Sequence, residues 1–287
     1  MPPDPRLNAW RADLADARLR GSVAAPRYAA GRPARVSAGL APVRKAADRQ
    51  AETVTFYHYG EAVRVFDEAG GFAWCQSQFD SYVGYVEVGH LASGPAPHLT
   101  HFIATLGSYA YREPDLRSPA CDLLPRHSAV TAVDSGIATR GTVYARLDTG
   151  LYVPLACLSP APPRSPDLVA AAALYLGCPY LWGGRSFFGI DCSGLVQCAF
   201  RDVGTTVPRD TDLQRDTIGE AVAIDDLRAL RRGDLLYMPG HVMICAEAGS
   251  VLHADGASLV VRRDDLAALM RARGWALATF SVRRPVA

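Results

Sequence analysis

The chain has 287 residues, a hydrophobic fraction of 49%, a charged fraction of 21% and a formal net charge of +1 at pH 7. This composition describes an ordinary globular protein with room for two or three small domains. The balanced charge argues against nucleic acid or an anionic surface as a partner. The seven cysteines form no C-x-x-C pair and have no histidine at metal-ligand spacing. We therefore expect no disulfide framework, no metal, no organic cofactor and a reducing compartment.

The beginning of the chain is charged and contains no apolar run of signal-peptide length. No stretch in the sequence is long and apolar enough to span a membrane. We therefore expect a cytoplasmic protein without a membrane partner.

Residues 1–39 are rich in alanine, arginine and proline, which predicts a leader that packs on the domains that follow. Within it, Asn8–Leu19 has the spacing of a short amphipathic helix. From Thr53 the pattern changes to short strands, with alternation at 62–66 and a glycine turn before the next strand.

A repeat with an offset of 67 residues runs through this β region. The matching positions are Ala62-Val63 with Ala129-Val130, Asp67 with Asp134, Tyr85-Val86 with Tyr152-Val153, and Leu91 with Leu158. We interpret the repeat as two SH3-like small β-barrels, at 40–95 and 96–158. The alternative is a single β-domain with coincidental matches.

A proline-rich linker at 159–166 is the clearest domain boundary, and the second half of the chain occupies 167–287. Ser165 and Pro166 have the character of a helix start, and that helix is expected to run to Leu176. A loop at 208–214 and three short strand-like runs, at 235–238, 241–246 and 251–254, come later in the chain. Helices followed by antiparallel strands predict an α+β domain.

Cys192 lies at the predicted start of a helix. Apolar residues with three-four spacing follow it and stop at Gly204, a residue typical of a helix C-cap. A cysteine in the first helical turn is close to unpaired backbone N–H groups and to the positive end of the helix dipole. Both effects favour the nucleophilic thiolate. The alternative is that Cys192 is a small core residue.

Two of the seven histidines, His241 and His253, lie on consecutive predicted strands after the cysteine. Their side chains share a face of the sheet only if the hairpin loop has an odd number of residues. A loop centred on Ala248 places His253 opposite Met243 and diagonal to His241. This arrangement predicts His241 as the base for Cys192 and His253 as its orienting partner, although either histidine alone is more often structural.

Six short motifs follow one another in the second half of the chain. They are Tyr180-x-Trp-Gly-Gly, Asp191-Cys-Ser-Gly-Leu, Pro208-Arg-Asp-x-x-x-Gln214, Arg232-Gly-Asp-Leu, Gly240-His241-Val and Leu252-His253-Ala. With these motifs the second half resembles the NlpC family of cell-wall cysteine peptidases. The resemblance implies a papain-like fold with a catalytic Cys–His–His triad at Cys192, His241 and His253.

Three further motifs lie in the front of the chain, Tyr59-Gly-Glu61, Phe72-Ala-Trp74-x-Gln76 and Asp80-x-Tyr82-Val-Gly-Tyr. They resemble the front of the family's γ-D-glutamyl-L-diamino acid endopeptidases (dipeptidyl-peptidase VI), in which bacterial SH3 domains precede the peptidase. In this subgroup the first SH3 domain closes one end of the cleft, so that only peptides with a free N-terminal L-alanine fit. The resemblance implies release of L-Ala-D-Glu from murein tripeptides or tetrapeptides that begin L-Ala-γ-D-Glu-diamino acid.

A closed pocket for the free ammonium group requires carboxylate partners, because an unpaired buried charge is costly. Glu61 and Asp191 are the candidates, with the Tyr82 hydroxyl beside them. The D-glutamate carboxylate requires N–H or hydroxyl donors. We assign these donors to Ser193 and the loop Arg209-Asp210-Thr211. The backbone N–H of Cys192 is expected to bind the oxyanion, and Tyr180 and Trp182 are expected to form walls of the cleft.

Two other interpretations use the same residues. In the first, the protein is a non-catalytic module that binds murein peptides. In the second, the triad carries out a different reaction, either hydrolysis of another amide or acyl transfer. The sequence leaves the choice between diaminopimelate and lysine open, as well as the oligomeric state.

Overall fold

The computed structural model describes residues 2–94 and 98–285, which fall into two compact units that meet between Pro163 and Arg164. This junction lies inside the predicted proline linker at 159–166. The predicted boundary between the two SH3-like domains, at residues 95 and 96, lies outside the described residues. Among the described residues, no helix combines the length and the apolar character that crossing a membrane requires.

The leader is not helical as predicted, because its apolar residues are buried by pairing as strands. Its strands are β1 Trp10–Arg11, β2 Leu14–Asp16 and β3 Arg27–Ala29, which form one small sheet. Leu14 is 2% exposed and packs against Phe66 and Trp74 of the next region. The carboxylate of Asp16 caps the short 3-10 helix Ala17–Leu19, which is the only helical turn described within the predicted stretch.

The first β region forms one seven-stranded sheet in the order β10-β4-β7-β8-β9-β5-β6. The strands are β4 Arg32–Val36, β5 Leu40–Arg44, β6 Thr53–His58, β7 Ala62–Ala69, β8 Phe72–Ser77, β9 Val83–Glu87 and β10 Leu91–Ser93. Their alternating side chains enclose a core of small and β-branched residues that includes Val36, Val43 and Val65. The predicted glycine turn consists of Gly70 and Gly71 alone, because β7 continues through a bulge between Val65 and Asp67 to Ala69.

The second β region contains two sheets, in the orders β14-β11-β18 and β13-β12-β17-β16-β15. Its strands are β11 His101–Ile103, β12 Gly107–Tyr111, β13 Ala120–Pro125, β14 Ala129–Val130, β15 Ala132–Thr139, β16 Thr142–Leu147, β17 Tyr152–Pro154 and β18 Leu158–Ser159.

The predicted repeat reappears in the strands of the two β regions. Strands β5, β6 and β10 begin 67 residues before β12, β13 and β18, respectively. The two regions also pack closely where Tyr59 enters the core of the second one. A Cβ at Gly60 would lie 2.1 Å from the carbonyl oxygen of Ala129, so a side chain there would force the two regions apart.

The second unit packs its helices on a six-stranded antiparallel sheet with the order β21-β26-β22-β23-β24-β25. The strands are β19 Arg185–Ser186, β20 Gly189–Ile190, β21 Glu220–Val222, β22 Leu235–Met238, β23 His241–Glu247, β24 Ser250–Asp255, β25 Val260–Asp265 and β26 Ser281–Arg284. The helices are α1 Leu168–Ala173, α2 Cys192–Val203, α3 Thr211–Thr217 and α4 Leu266–Arg273, and the remaining short 3-10 helices of the described chain are Val88–His90, Leu155–Cys157, Leu227–Ala229 and Leu277–Thr279.

The predicted helix at Cys192 and the three predicted strands of this unit are confirmed. Helix α1 begins later than predicted, because Asp167 caps it by accepting a hydrogen bond from the backbone N–H of Ala170. Ser165 instead donates its hydroxyl hydrogen bond to Asp202, at 2.8 Å. The predicted loop at 208–214 contains the start of α3, and α4 was not predicted.

Candidate active site

Cys192 is the first residue of α2, and local contacts hold it there. Asp191 is the N-cap, and its carboxylate accepts a hydrogen bond from the backbone N–H of Gly194 at 2.7 Å. The helix ends at Gly204, whose φ of 93° supplies the left-handed C-cap. Cys192 itself is buried, with 5% of its surface exposed. The nucleophile predicted from sequence therefore has a fixed position at a helix N-terminus.

The glycines around the cysteine allow two backbone segments to approach closely. A Cβ on Gly194 would lie 2.1 Å from the carbonyl oxygen of Gly184, and a Cβ on Gly184 would lie 2.3 Å from the carbonyl oxygen of Gly189. Neither space can hold a methyl group without moving backbone. The segment before the helix is thus packed directly against its first turn.

A buried ion pair fixes the same turn. The Arg209 guanidinium donates to both carboxylate oxygens of Asp191, with Nη2–Oδ2 at 2.6 Å and Nη1–Oδ1 at 3.0 Å. Arg209 also donates to the Ser193 hydroxyl at 2.8 Å and to the carbonyl oxygen of Gly184 at 3.3 Å. The two side chains are 1% and 7% exposed. The pair ties the loop, the N-cap and the first turn of α2 together.

These contacts bear on three predicted substrate-binding residues. Asp191, Ser193 and Arg209 are partners of one another in this conformation. A substrate ammonium at Asp191 would share a carboxylate that is already paired with Arg209. A substrate carboxylate at Ser193 or Arg209 would have to exchange one of these bonds. Their roles in binding substrate stay predictions, with that added requirement.

The two histidines of the hairpin β23–β24 are hydrogen-bonded to each other. His241 Nε2 lies 2.9 Å from His253 Nδ1, and the rings meet edge to face with centroids 5.2 Å apart. The hairpin turn has only the two residues Ala248 and Gly249, which alone would place the two side chains on opposite faces. A bulge at Ala246, between Cys245 and Glu247, restores the odd count.

A third group continues this hydrogen-bonded chain and was missed by the sequence reasoning. His253 Nε2 lies 3.0 Å from Oδ2 of Asp264 on β25, and the His253 side chain is 0% exposed. His253 pairs with Arg262 across the strands, so Asp264 occupies the diagonal position on the same face. The signal was the alternation of Arg262 and Asp264 in a strand after the second histidine, but the register was needed to use it.

Burial sets the ionisation of the nucleophile and its neighbour, and it corrects one expectation. Burial raises the pKa of the Cys192 thiol to about 11, and the Asp191 charge adds to the rise. The backbone N–H groups of Val242 and Ser193 and the Arg209 charge lower it, but by less. Desolvation at the helix start thus acts against the thiolate expected from the sequence, and the balance of these effects favours the neutral thiol.

The predicted base, His241, is also neutral. Burial lowers the pKa of His241 to about 4, and the neighbouring His253 contributes to the decrease. The resting site consequently combines a neutral thiol with a neutral imidazole. If the two groups act together, the proton moves from the thiol to the imidazole as the sulfur attacks.

The remaining predicted site residues of this unit lie in different environments. Tyr180 is half-buried beside Gly256, and its pKa is raised by burial and further by the Cys192 and Asp191 charges. Trp182 is 58% exposed. Asp210 is the N-cap residue of α3 and Thr211 is its first residue, and both are half-buried.

Glu61 and Tyr82 belong to the first unit and are both buried there, at 6% and 4% exposure. The backbone N–H of Glu61 donates to the carbonyl oxygen of His58. The carbonyl oxygen of Tyr82 accepts from the Tyr57 hydroxyl at 2.7 Å. These bonds fix the backbone of both residues. Their predicted contacts with a substrate ammonium stay predictions.

Two segments of the chain match known families. Residues 177–284 match the NlpC/P60 family, and residues 43–91 match the bacterial dipeptidyl-peptidase Sh3 domain. The first match contains Cys192, His241 and His253, and the second contains Glu61 and Tyr82. The resemblance inferred from the sequence is thereby confirmed at the level of domains.

Among curated proteins, the chain is similar to the γ-D-glutamyl-L-lysine dipeptidyl-peptidase of Bacillus subtilis, with 38% identity over 31% of this chain and 31% of the relative. The protein of the same name from Bacillus cereus is 33% identical over 33% of this chain and 30% of the relative. Dipeptidyl-peptidase 6 of Lysinibacillus sphaericus is 36% identical over 31% of this chain and 32% of the relative. The chain spans about a third of the length of these curated relatives.

Among solved structures, an NlpC/P60 family protein from Bacillus cereus superposes with a TM-score of 0.70 and 18% identity. The superposition covers 89% of this chain and all of that one. An NlpC/P60 endopeptidase from Photobacterium damselae superposes with a TM-score of 0.56 and 12% identity, over 88% of this chain and 70% of the other. The expected α+β fold, a papain-like NlpC domain preceded by an SH3-like domain, is confirmed. The assignment of 96–158 to a second SH3-like domain stays a prediction.

Proposed function

Because this chain carries an NlpC/P60 domain behind a bacterial dipeptidyl-peptidase Sh3 domain, we propose that it is a cysteine peptidase that cuts the γ-D-glutamyl–diamino acid bond of murein peptides. The observation that carries the proposal is the buried thiol at the start of α2 together with the hydrogen-bonded pair His241–His253 in the same unit. A nucleophile, a base and a group that orients the base are the parts that amide hydrolysis by cysteine requires.

In the proposed reaction, the Cys192 thiol proton passes to His241 as the sulfur attacks. The nitrogen Nε2 of His241 is occupied by His253, so Nδ1 is the atom that accepts the proton. The sulfur attacks the γ-carbonyl carbon, and the developing oxyanion is bound by backbone N–H groups at the helix start. The C–N bond then breaks as His241 returns the proton to the leaving amine.

The second half of the reaction releases the acyl group. Water attacks the thioester carbon, His241 takes a proton from that water, and the same proton returns to the sulfur as the C–S bond breaks. The products are a free γ-carboxylate and the diamino acid amine. The neutral resting pair suits this cycle, because each step moves one proton between sulfur, imidazole and nitrogen.

The proposed substrate is a murein tripeptide or tetrapeptide with a free N-terminal L-alanine, from which L-Ala-D-Glu is released. The two Bacillus relatives, which are named γ-D-glutamyl-L-lysine dipeptidyl-peptidases, support cleavage of the γ-D-glutamyl bond. The carboxylate of Glu61 and the hydroxyl of Tyr82 are the proposed partners of the free amine. A cytoplasmic role in recycling of such peptides is part of the proposal, and fractionation of cells that express the tagged protein tests it.

The test of the function is hydrolysis of L-Ala-γ-D-Glu-meso-diaminopimelate by wild type and by Cys192→Ala, with a free and with an acetylated N-terminus. We expect cleavage only by wild type and only of the free amine. Glu61→Gln is the matched variant for the amine, and we expect it to raise KM for the free peptide while kcat changes less. The lysine tripeptide in parallel reports the preferred diamino acid.

Other outcomes select other functions. Equal cleavage of the acetylated peptide would remove the amine pocket from the proposal but keep the peptidase. No cleavage together with binding of the tripeptide to both proteins would favour a murein-peptide-binding module. Transfer of the acyl group to an added amine in place of water would favour an acyltransferase.

A further inference from the structure

The carboxylate of Asp264 divides its two oxygens between two different partners. Oδ2 lies 3.0 Å from Nε2 of His253. Oδ1 accepts from the Arg262 guanidinium, with Nε at 3.0 Å and Nη2 at 2.6 Å. All three residues share one face of the β24–β25 ladder, in which His253 and Arg262 are direct cross-strand partners. The strand register therefore fixes the hydrogen-bond partner of each oxygen.

This division determines which ring nitrogens carry protons. An ionised carboxylate only accepts hydrogen bonds, so His253 Nε2 must carry the proton that lies between it and Asp264. In a neutral His253, Nδ1 then carries the lone pair, and His241 Nε2, which lies 2.9 Å away, is the donor. The lone pair of the neutral His241 is thereby left on Nδ1, the atom that the proposed reaction uses as its base.

We propose that Arg262 and Asp264 are positioning residues that set the tautomer of both histidines, so that His241 presents a lone pair on Nδ1. The consequence for catalysis rests on the function proposed above. The tautomers themselves are a property of the hydrogen-bonded chain, whatever substrate the site accepts. Neither residue is proposed to touch the substrate.

The surroundings restrict the hydrogen-bond partners that the two histidines can have. The His253 side chain is 0% exposed, so water cannot replace Asp264 as its partner. Asp264 is 13% exposed and Arg262 is 46% exposed, which leaves the guanidinium partly in solvent while its donors hold Oδ1. Because a guanidinium has donors and no acceptor, Oδ1 must stay an acceptor as long as Arg262 is present.

Replacement of Asp264 by asparagine is the informative change, since it keeps the shape and removes one acceptor. Arg262 requires the oxygen of the new amide, so the amide NH₂ takes the place of Oδ2 and faces His253 Nε2. That nitrogen must then be the lone pair, His253 Nδ1 carries the proton, and His241 Nε2 becomes the acceptor. His241 Nδ1 ends up protonated and cannot take the thiol proton.

The activities of two Asp264 variants should therefore follow an unusual order. We expect Asp264→Asn to lower kcat by on the order of 10³ to 10⁴, the size expected when a triad imidazole is held in the wrong tautomer. Asp264→Ala removes the partner without imposing a tautomer, and a loss of roughly 10 to 100-fold is expected, as for other groups that act through a catalytic residue. The conservative substitution is thus more damaging than the truncation.

Removal of Arg262 should rescue the asparagine variant. In Arg262→Ala with Asp264→Asn, nothing holds the amide oxygen away from the histidine, so the amide can rotate by half a turn and accept from His253 Nε2. We expect the double variant to recover at least tenfold in kcat over Asp264→Asn alone. A purely structural role for the pair predicts the opposite, since two lost contacts should be worse than one.

The decisive measurement does not need activity. Nitrogen NMR of histidine-labelled protein distinguishes protonated from unprotonated ring nitrogens, with His241→Gln and His253→Gln providing the assignments. We expect both rings to exchange their protonated nitrogen in Asp264→Asn and to return in the double variant. Unchanged ring nitrogens in Asp264→Asn, or an Asp264→Asn enzyme more active than Asp264→Ala, would overturn the proposal. If wild type cuts no peptide, the proposed function fails, and the ring nitrogens still decide this inference.

Discussion

Two arginine–aspartate pairs contact the predicted catalytic residues of the second unit. They differ in burial and in whether one carboxylate oxygen is available to a third group. In the pair Arg209–Asp191 both side chains are buried, and the carboxylate is used up by the guanidinium and by backbone N–H groups. In the pair Arg262–Asp264 the guanidinium is half-exposed and takes only one oxygen. The other oxygen holds His253.

The difference separates two uses of the same chemical pair. A buried pair whose carboxylate oxygens are both hydrogen-bonded holds the backbone in place, and we expect its removal to destabilise the fold. A pair that keeps one oxygen for a third group transmits its orientation to that group, and its removal is expressed as loss of activity. Stability and catalysis should therefore separate when the two pairs are mutated in parallel.

The largest expected effect comes from Arg209→Ala. The substitution leaves the Asp191 carboxylate buried without its counter-ion, and breaking such a pair destabilises proteins by about 3–5 kcal/mol. Urea unfolding of wild type and variant measures the loss. Arg209→Lys is the matched control, which keeps the charge but not the fork, and it should fall between them. A change below about 1 kcal/mol in Arg209→Ala would contradict the structural assignment.

The pH dependence sharpens the comparison. The pair Arg209–Asp191 lies beside Cys192, whereas the pair Arg262–Asp264 acts through His253 on His241. With the pKa of Cys192 raised to about 11, its thiolate fraction at pH 7 is roughly 100-fold below that of an ordinary cysteine. Alkylation of Cys192 at pH 7 should be slow and should rise towards pH 11. The ultraviolet absorbance of the thiolate, with Cys192→Ala subtracted, measures the titration. A titration midpoint below about pH 8 would instead support a thiolate that is stabilised by the helix dipole.

The acid side of the profile belongs to His241. Its folded pKa of about 4 lies below its ordinary value of 6.5, so the base stays neutral until the pH falls through about 4. We expect kcat/KM to be level from neutral pH downwards and to drop near pH 4. The unfolded chain binds this proton at higher pH than the folded one, so the contribution of His241 to stability decreases as the pH falls from 6.5 to 4. An acid limb near pH 6.5 would indicate a solvated histidine.

The smallest effect is expected for Arg262→Ala alone. The exposed guanidinium contributes roughly 0–1 kcal/mol to stability. Asp264 remains a carboxylate that only accepts, so the tautomers persist and kcat should fall no more than about fivefold, since part of the positioning is kept. Thermal unfolding and steady-state kinetics measure both. A loss as large as that of Asp264→Asn would mean that Arg262 acts directly on the substrate.

Local signals in the sequence were sufficient for the nucleophile and for the histidine hairpin. The three-four spacing after Cys192 and the glycine at 204 predicted α2 and both of its ends, because caps depend on neighbouring residues only. The relation between His241 and His253 followed from strand alternation. The bulge at Ala246 could not be predicted. Strand alternation requires an odd number of connecting residues but does not tell which irregularity makes the number odd.

Features that depend on distant contacts could not be predicted. The segment Asn8–Leu19 has helical spacing, but Leu14 is buried against Phe66 and Trp74, and this packing selects strands. Asp264 reaches His253 only through the register of β24 with β25. The raised pKa of Cys192 depends on how much protein covers the thiol, which a one-dimensional pattern does not contain.

The bulge at Ala246 also restricts how the length of this hairpin can vary. Five residues separate Cys245 from Val251, and that number keeps the two imidazoles on one side of the sheet. Insertions or deletions of one residue would turn His253 away from His241, whereas changes of two residues would preserve the pairing. The connection between the two histidines should therefore accept grafted peptides only in even increments, which is a simple rule for loop engineering in this protein.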